Sequence, residues 1–423
     1  MHPLDTPKLA LVMVGLPARG KTYIARKLAR YLCWLGHPTR VFNVGSYRRE
    51  RHGSRHPAEW FSPSSKEGER LRTEVAMEAL EDMLAWIRGG GRVGIYDATN
   101  TTKARRRRVQ ERCEREGLKV LFIESICTDQ SIIDATVRET KLHSPDYVGF
   151  APEEAVRDFL ERIGHYEGVY ESLDDETQSY IQLIDVGRRA VCNRTQGYLT
   201  ARLVFFLMNL HITPRPIWLT RHGESVHNVR GLIGGDSPLS YRGELYAQAL
   251  AEFVKNRAVD GLTVWTSALR RTVDTARPLG MPTLPWRALD EIDAGVCDGM
   301  SYAQIQKELP NEYSARSADK FHYRYPRGES YEDVIQRLDP VIIELERQQN
   351  PVLIIGHQAV LRALYAYLMD IPGEECPYLS IPLHTIIELT PTAYGCQEKR
   401  LRLEPEAVLD EPSGDGPDKE FVR

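Results

Sequence analysis

Two places in this chain bring together residues that could move a phosphoryl group. The first is Gly15-Leu16-Pro17-Ala18-Arg19-Gly20-Lys21-Thr22, which fits GxxxxGK[ST] at every fixed position. Glycines there let backbone N–H groups turn onto phosphate oxygens, and a helix N-terminus adds partial positive charge. The Lys21 ammonium can then neutralise β- and γ-phosphates, and the Thr22 hydroxyl can reach Mg²⁺. The second place pairs two histidines, each directly after a short apolar run. His222 lies in Leu219-Thr220-Arg221-His222-Gly223-Glu224, and His357 in Ile354-Ile355-Gly356-His357. An imidazole can attack phosphorus and hold it covalently, splitting a hydrolysis into two easier steps. Neighbouring arginines supply planar forks for the non-bridging oxygens.

Each place needs partners. Asp97 ends the apolar run Val93–Tyr96 and is the carboxylate expected on the Mg²⁺ side of the first site. The competing reading makes Asp97 a turn or capping residue before a helix at 103–116. Arg48, Arg49, Arg72, the run Arg105–Arg108, Lys141 and Arg162 imply an anionic acceptor in this half. The arginine run alone could suggest RNA, but no aromatics interleave with it and a helix spreads it around its circumference. In the second half Glu291, within Asp290-Glu291-Ile292-Asp293, is the candidate general acid. One histidine alone would read as structural; two after apolar runs, with Arg-His-Gly and an acidic motif downstream, favour chemistry.

Holding these groups takes buried strands. Leu9–Val14, Arg40–Val44, Val93–Tyr96 and Val120–Glu124 are short apolar runs in the first half; Ile217–Thr220, Thr263–Trp265 and Val352–Ile355 are their counterparts in the second. Helical patterns lie between them, as at Thr22–Leu35, Glu67–Arg88 and Ser330–Arg347. The alternation predicts an α/β fold with parallel sheets covered on both faces. Thr213-Pro214-Arg215-Pro216 marks a boundary, giving domains at 1–213 and 214–403, with Asn193–Asn209 an apolar helix closing the first. The acidic, Pro- and Gly-rich stretch 404–423 is expected to be disordered.

Composition narrows the class. A chain of 423 residues, 42% hydrophobic and 27% charged, holds two or three ordinary globular domains. The net charge of −4 argues against a polynucleotide binder, so any anion site is local. Seven scattered cysteines without a CxxC pair read as reduced thiols, and the N-terminus lacks a secretion signal, so a cytoplasmic setting is expected. No apolar stretch is long enough for a membrane span.

Longer motifs carry a resemblance. Gly15–Tyr23, Phe42–Glu50, Asp97–Thr102, Ser144–Tyr147 and Ile184–Arg189 resemble the kinase half of the 6-phosphofructo-2-kinase/fructose-2,6-bisphosphatase family. Arg221–Ser225, Gly234–Ser240, Glu291–Cys297, Tyr323–Tyr331 and Gly356–Arg362 resemble its bisphosphatase half. The resemblance implies two three-layer α/β/α domains: an N-terminal P-loop kinase fold and a C-terminal histidine-phosphatase, phosphoglycerate-mutase-like fold. It implies ATP over Gly15, Leu16, Pro17, Ala18, Arg19, Gly20, Lys21, Thr22 and Tyr23, with Thr22 and Asp97 at Mg²⁺ and Lys141 facing the transferring phosphate. Cys127 matches a family active-site cysteine. Fructose 6-phosphate would be held by Arg48, Arg72, Thr99, Arg105, Arg162 and Tyr166.

In the second half the resemblance makes His222 the phosphorylated residue and Glu291 the proton donor. Arg221, Asn228, Arg271 and His357 would grip the phosphoryl group. Gly234, Tyr302, Arg316, Lys320, Tyr331, Gln358 and Arg362 would hold fructose 2,6-bisphosphate, with Arg316 and Lys320 suited to its 6-phosphate. A homodimer through the kinase half is also implied, with neither nucleic acid nor membrane as a partner. The family's animal members carry terminal extensions with kinase-target serines; here 404–423 holds one serine, Ser413, without a basic run before it, which leaves control by phosphorylation open. The pair Ser225-Val226 departs from a more polar family pair. Two other readings are open at this point: an RNA end-healing kinase–phosphatase, and a sugar-phosphate sensor with one or both activities weak.

Overall fold

The computed structural model describes residues 8–137, 145–185, 187–211, 214–392 and 395–408. The chain divides into two compact units, Met1–Ile212 and Thr213–Arg423.

The first unit is built on β1 (Leu9–Val14), β2 (Thr39–Asn43), β3 (Val93–Asp97), β4 (Lys119–Ile126), β5 (Tyr180–Ile184) and β6 (Arg189–Asn193), in the order β2-β3-β1-β4-β5-β6. Every residue of β1 and β3 is buried, which is why both read as unbroken apolar runs rather than alternating ones. Ala10, Val12 and Val14 pack on one face against Phe42, Met83, Tyr96 and Phe122. The helix Lys66–Arg88 lays Ala79, Leu80, Met83, Leu84 and Ile87 on that core, and Ser65 starts it by accepting from the Gly68 N–H. A truncation such as Leu80→Ala in this layer costs about 2–5 kcal/mol.

The second unit carries β7 (Ile217–Arg221), β8 (Thr263–Thr266), β9 (Thr283–Pro285), β10 (Val352–Gly356), β11 (Thr385–Thr392) and β12 (Gly395–Arg402), in the order β12-β11-β7-β10-β8-β9. β7 and β10 are central, parallel neighbours, with Gly356 opposite Arg221. The residues that follow them, His222 and His357, therefore leave the sheet side by side at one end. Trp218, Leu353, Ile355 and Ile386 form the core with Tyr246 and Leu250 of the helix Tyr241–Arg257.

Three expectations change. The sheets are mixed, because β6 runs antiparallel to β5, and β11 runs antiparallel to both β7 and β12. β6 and β12 follow their neighbours without a crossover helix, and such short connections join antiparallel strands; β11 follows the helix Gln358–Met369 yet still pairs antiparallel with β7. The closing helix begins at Tyr198, not Asn193: Asn193 pairs with Tyr180 in the sheet, and Gly197 intervenes with φ 107°. The stretch from Glu404 opens with described residues that bind the second unit: Pro405 O meets His384 Nδ1 at 2.5 Å, and the Val408 N–H donates to Glu224 at 2.8 Å. Residues 409–423 lie outside the described residues.

Candidate active sites

The glycine-rich loop runs from the end of β1 into the helix Lys21–Trp34. Gly15 has φ 135°, and a Cβ there would sit 2.5 Å from the Ser125 carbonyl oxygen of β4. Gly20 (φ 75°) and Ala18 (φ 59°) are also left-handed. Lys21 is the first helical residue, and its Nζ donates to Leu16 O across the loop. Thr22 Oγ1 donates to Asp97 Oδ2 at 2.8 Å, and Asn43 Nδ2 donates to the same oxygen. Asp97 does not cap the following helix; Thr102 does, accepting from the Arg105 N–H. The neighbouring loop is tied to β1, since the Gly15 N–H donates to Thr99 O at 3.0 Å and Asn100 Nδ2 donates to Met13 O at 2.7 Å. One carboxylate with an adjacent hydroxyl is a sparse oxygen set. It fits Mg²⁺, which keeps its waters and takes its remaining ligands from substrate phosphates.

Cys127 follows β4 and packs in an apolar cluster with Ala18 of the loop, Ile133, Val137 and Phe159. Burial pushes its thiol pKa up, so it stays a neutral thiol rather than a nucleophilic thiolate.

Beyond the loop, cations gather round one ring. The guanidinium carbons of Arg162, Arg48 and Arg72 lie 3.5, 5.3 and 6.0 Å from the centre of Phe61, with Tyr166 alongside it. Arg48 Nη2 donates to both oxygens of Asp146, at 2.6 and 2.7 Å, and Arg162 reaches the same carboxylate at 3.5 Å. Burial, then Arg162, draws the Arg48 pKa down; burial draws Arg72 down, with Arg105 also acting on it. Cations held this closely in low dielectric favour an added anion. Arg105 sits on the rim, donating to Asn100 Oδ1 at 3.3 Å. The arginine run is not one patch. Arg106 is buried and donates to the carbonyls of Asn100, Thr101 and Ser172, whereas Arg107 and Arg108 are exposed. Lys141 and Ser144 lie outside the described residues.

At the tips of β7 and β10 the two imidazoles stand 5.1 Å apart between ring centres. His222 Nδ1 is 2.8 Å from Gly223 O, a pure acceptor, so Nδ1 carries the hydrogen. Its Nε2 lone pair then accepts from Arg271 Nε–H at 3.0 Å. Burial, then Arg271 and Arg221, holds the His222 pKa well below 6.5, so the ring is neutral at pH 7. A neutral imidazole with Nε2 unprotonated is the nucleophilic form. In this arrangement the Arg271 N–H occupies that lone pair. Its Nη1 donates to Gly235 O at 2.6 Å. Arg221 donates to Ile381 O, and Asn228 Oδ1 accepts from the Ser225 N–H and hydroxyl at 2.9 and 2.8 Å. Ser225 thus orients Asn228. The Glu291 carboxyl accepts from the N–H groups of Ile292, Gln358 and Ala359 at 3.0 to 3.2 Å, fixed at the start of the helix Gln358–Met369.

Phenols and cations line the remaining predicted positions. Arg316 donates to Tyr325 OH at 2.9 Å and Tyr302 OH at 3.1 Å, and its Nη1 is buried without a hydrogen-bond partner. Lys320 lies 5.1 Å from the Tyr378 ring centre. Arg362 donates to Leu379 O and, at 3.4 Å, to Tyr331 OH, whose pKa burial pushes up to about 12. Gly234 has φ 67°, and a Cβ would lie 1.7 Å from Asp298 Oδ1, so any side chain there would be strained and would displace the Asp298 carboxylate.

Comparison with known proteins decides the family. The model for 6-phosphofructo-2-kinase matches residues 2–214, and that for the histidine phosphatase superfamily (branch 1) matches residues 217–404. A Gallus gallus protein named 6-phosphofructo-2-kinase/fructose-2,6-bisphosphatase is 52% identical over 402 residues, covering 94% of this chain and 85% of that one. The Arabidopsis thaliana protein of that name is 54% identical over 411 residues, 95% of this chain and 55% of its own. The Homo sapiens protein named 6-phosphofructo-2-kinase/fructose-2,6-bisphosphatase 1 is 52% identical over 402 residues, 94% and 85% of the two chains. This chain belongs to the 6-phosphofructo-2-kinase/fructose-2,6-bisphosphatase family.

Several groups at these sites of the bifunctional family escape a reading by motif. Phe61 and Asp146 organise the arginines of the kinase unit, yet neither type signals an anion site. In the phosphatase unit His384 stacks on Tyr246 at 4.4 Å and accepts the Glu224 N–H at 2.9 Å. Ser267 bonds His357 Nε2 at 2.7 Å. A lone serine or histidine in an apolar stretch carries no local signal; only the strand order brings these to the site.

Proposed function

We propose that this chain, as a bifunctional 6-phosphofructo-2-kinase and fructose-2,6-bisphosphatase, makes fructose 2,6-bisphosphate in its first unit and removes the 2-phosphate in its second. ATP lies along Gly15–Tyr23, with Lys21 on its terminal phosphates. Thr22 and Asp97 would hold the Mg²⁺ that arrives with ATP; the ion would neutralise charge developing on the transferring group. Arg48, Arg72, Arg105 and Arg162, with Thr99 and Tyr166, hold fructose 6-phosphate so that its 2-hydroxyl meets the terminal phosphate. In the second unit His222 Nε2 attacks the 2-phosphate in line. Arg221, Arg271, Asn228 and His357 hold its oxygens. Glu291 protonates the departing sugar oxygen and then activates the water that frees His222. Gly234, Tyr302, Arg316, Lys320, Tyr331, Gln358 and Arg362 hold the rest of the sugar.

The observation carrying this reading is the assigned tautomer of His222: Nδ1–H on Gly223 O and the Nε2 lone pair facing Arg271. All seven cysteines are free thiols, which supports a cytoplasmic setting, and no helix among the described residues is long and apolar enough to cross a membrane. A homodimer through the kinase unit rests on the family resemblance. The test uses fructose 2,6-bisphosphate labelled on its 2-phosphate and quenched in alkali. Acid-labile label appears on the wild type and not on His222→Ala. Lys21→Met abolishes ATP-dependent synthesis of the compound while hydrolysis continues. Equal synthesis by wild type and Lys21→Met would refute the kinase assignment.

A further inference from the structure

His357 is fully buried, and its second nitrogen ends a chain of hydroxyls that no motif predicts. Nε2 lies 2.7 Å from Ser267 Oγ, and Ser267 Oγ lies 2.8 Å from Thr272 Oγ1. Thr272 Oγ1 lies 2.9 Å from Leu269 O and 3.2 Å from Ser267 O. Ser267 Oγ also accepts the Leu269 N–H at 3.1 Å. Carbonyl oxygens only accept, so the Thr272 hydrogen points at one of them. The hydrogen between the two hydroxyls is then Ser267's. Ser267 has none left for His357, so Nε2 carries the hydrogen and donates. The direction is fixed throughout: His357 Nε2–H to Ser267, Ser267 to Thr272, Thr272 to a carbonyl. Any reversal sets two lone pairs against each other at hydrogen-bond distance in a buried site, which is unfavourable.

This leaves Nδ1 with the lone pair. Nδ1 is buried and has no hydrogen-bond partner. A bare lone pair repels a phosphoryl oxygen; a protonated nitrogen donates to it. We infer that Ser267 and Thr272 are positioning residues that lock the His357 proton on Nε2, so that a phosphoryl group binds the second site only together with one proton taken from solvent onto Nδ1. The resulting imidazolium donates from both nitrogens, to the phosphoryl oxygen and to Ser267. The charged and titratable groups around the ring are Arg221 at the end of β7 and His222 after it, Arg271 beside Thr272, Arg337 from the helix Tyr331–Arg347, and Glu291, which accepts the N–H groups of Gln358 and Ala359 next to His357. Burial and those arginines keep the ring neutral until an anion arrives. The inference rests on the phosphoryl-binding reading of this site.

The test follows inhibition of fructose 2,6-bisphosphate hydrolysis by inorganic phosphate across pH, which reads the second site alone in the full chain. For wild type the inhibition constant rises about tenfold per pH unit while phosphate remains a dianion, the slope of one linked proton. In Ser267→Ala the imidazolium loses its acceptor, so the steep region ends at lower pH and phosphate binds about tenfold more weakly at pH 8. Ser267→Thr restores the wild-type profile, and Thr272→Val gives an intermediate one; thermal melts confirm that each variant is folded. A pH-independent constant in the wild type, or a Ser267→Ala profile superimposed on it, overturns the inference. A wild type that neither hydrolyses the compound nor binds phosphate overturns the functional reading itself.

Discussion

At the residue scale the phosphatase site is built from histidines held neutral among cations. His222, His357 and His384 all have pKa values below 6.5 in the folded chain, chiefly through burial. Once unfolded, each would titrate near 6.5. Above that pH both states are neutral and this contribution to stability is complete. As pH falls below 6.5 the unfolded chain takes up protons that the folded chain refuses, so stability declines with acid. The second unit should therefore unfold at lower denaturant concentration at pH 5.5 than at pH 7.5, and His384→Gln should weaken that dependence. Urea titrations at the two pH values check this; a midpoint that rises on acidification contradicts it. The histidine tips were legible because the chemistry sits at the ends of apolar runs. The shift itself was not, because it depends first on burial by a sheet no local pattern specifies and then on Arg271, 49 residues away along the chain.

At the element scale the loop that carries His222 is held by close backbone contact. A Cβ on Gly223 would lie 2.4 Å from Gly243 O, at the start of the helix Tyr241–Arg257, and one on Gly243 would lie 2.1 Å from Glu224 O. The loop and the helix therefore meet glycine to glycine. Gly223→Ala should push them apart, destabilise the unit by about 1–3 kcal/mol and reduce hydrolysis at least tenfold, with ATP-dependent synthesis retained. Paired assays of the two activities on that variant measure the effect, and unimpaired hydrolysis would show that the contact is slack. The buried strands were readable because both faces are covered. β12 was not: it is an edge strand, Gly395–Arg402, half of whose residues are charged, and its pairing with β11 depends on a partner rather than on its own pattern. The helix Tyr198–Met208 was placed too early because Asn193 pairs in the sheet, a long-range fact.

At the scale of the whole molecule, two sheets with separate cores each place anion-binding groups at the ends of their central strands. The net charge of −4 conceals this, since the cations concerned are buried or half-buried and confined to two sites. The first unit's motif was the most legible part, because fixed glycines, a lysine and a threonine fall within eight residues. The acceptor cluster was legible only as a list of arginines; its centre on Phe61 and Asp146 was not. The stretch after β12 returns to the back of the histidine loop, with Pro405 O on His384 and the Val408 N–H on Glu224. A chain ended at Leu403 should keep sugar-phosphate synthesis and lose several-fold in hydrolysis, which a side-by-side assay of both reactions decides. For anyone fusing a reporter or an affinity handle to this enzyme, the junction then belongs beyond Val408, since a splice even five residues earlier would unbuckle the clasp behind the His222 loop.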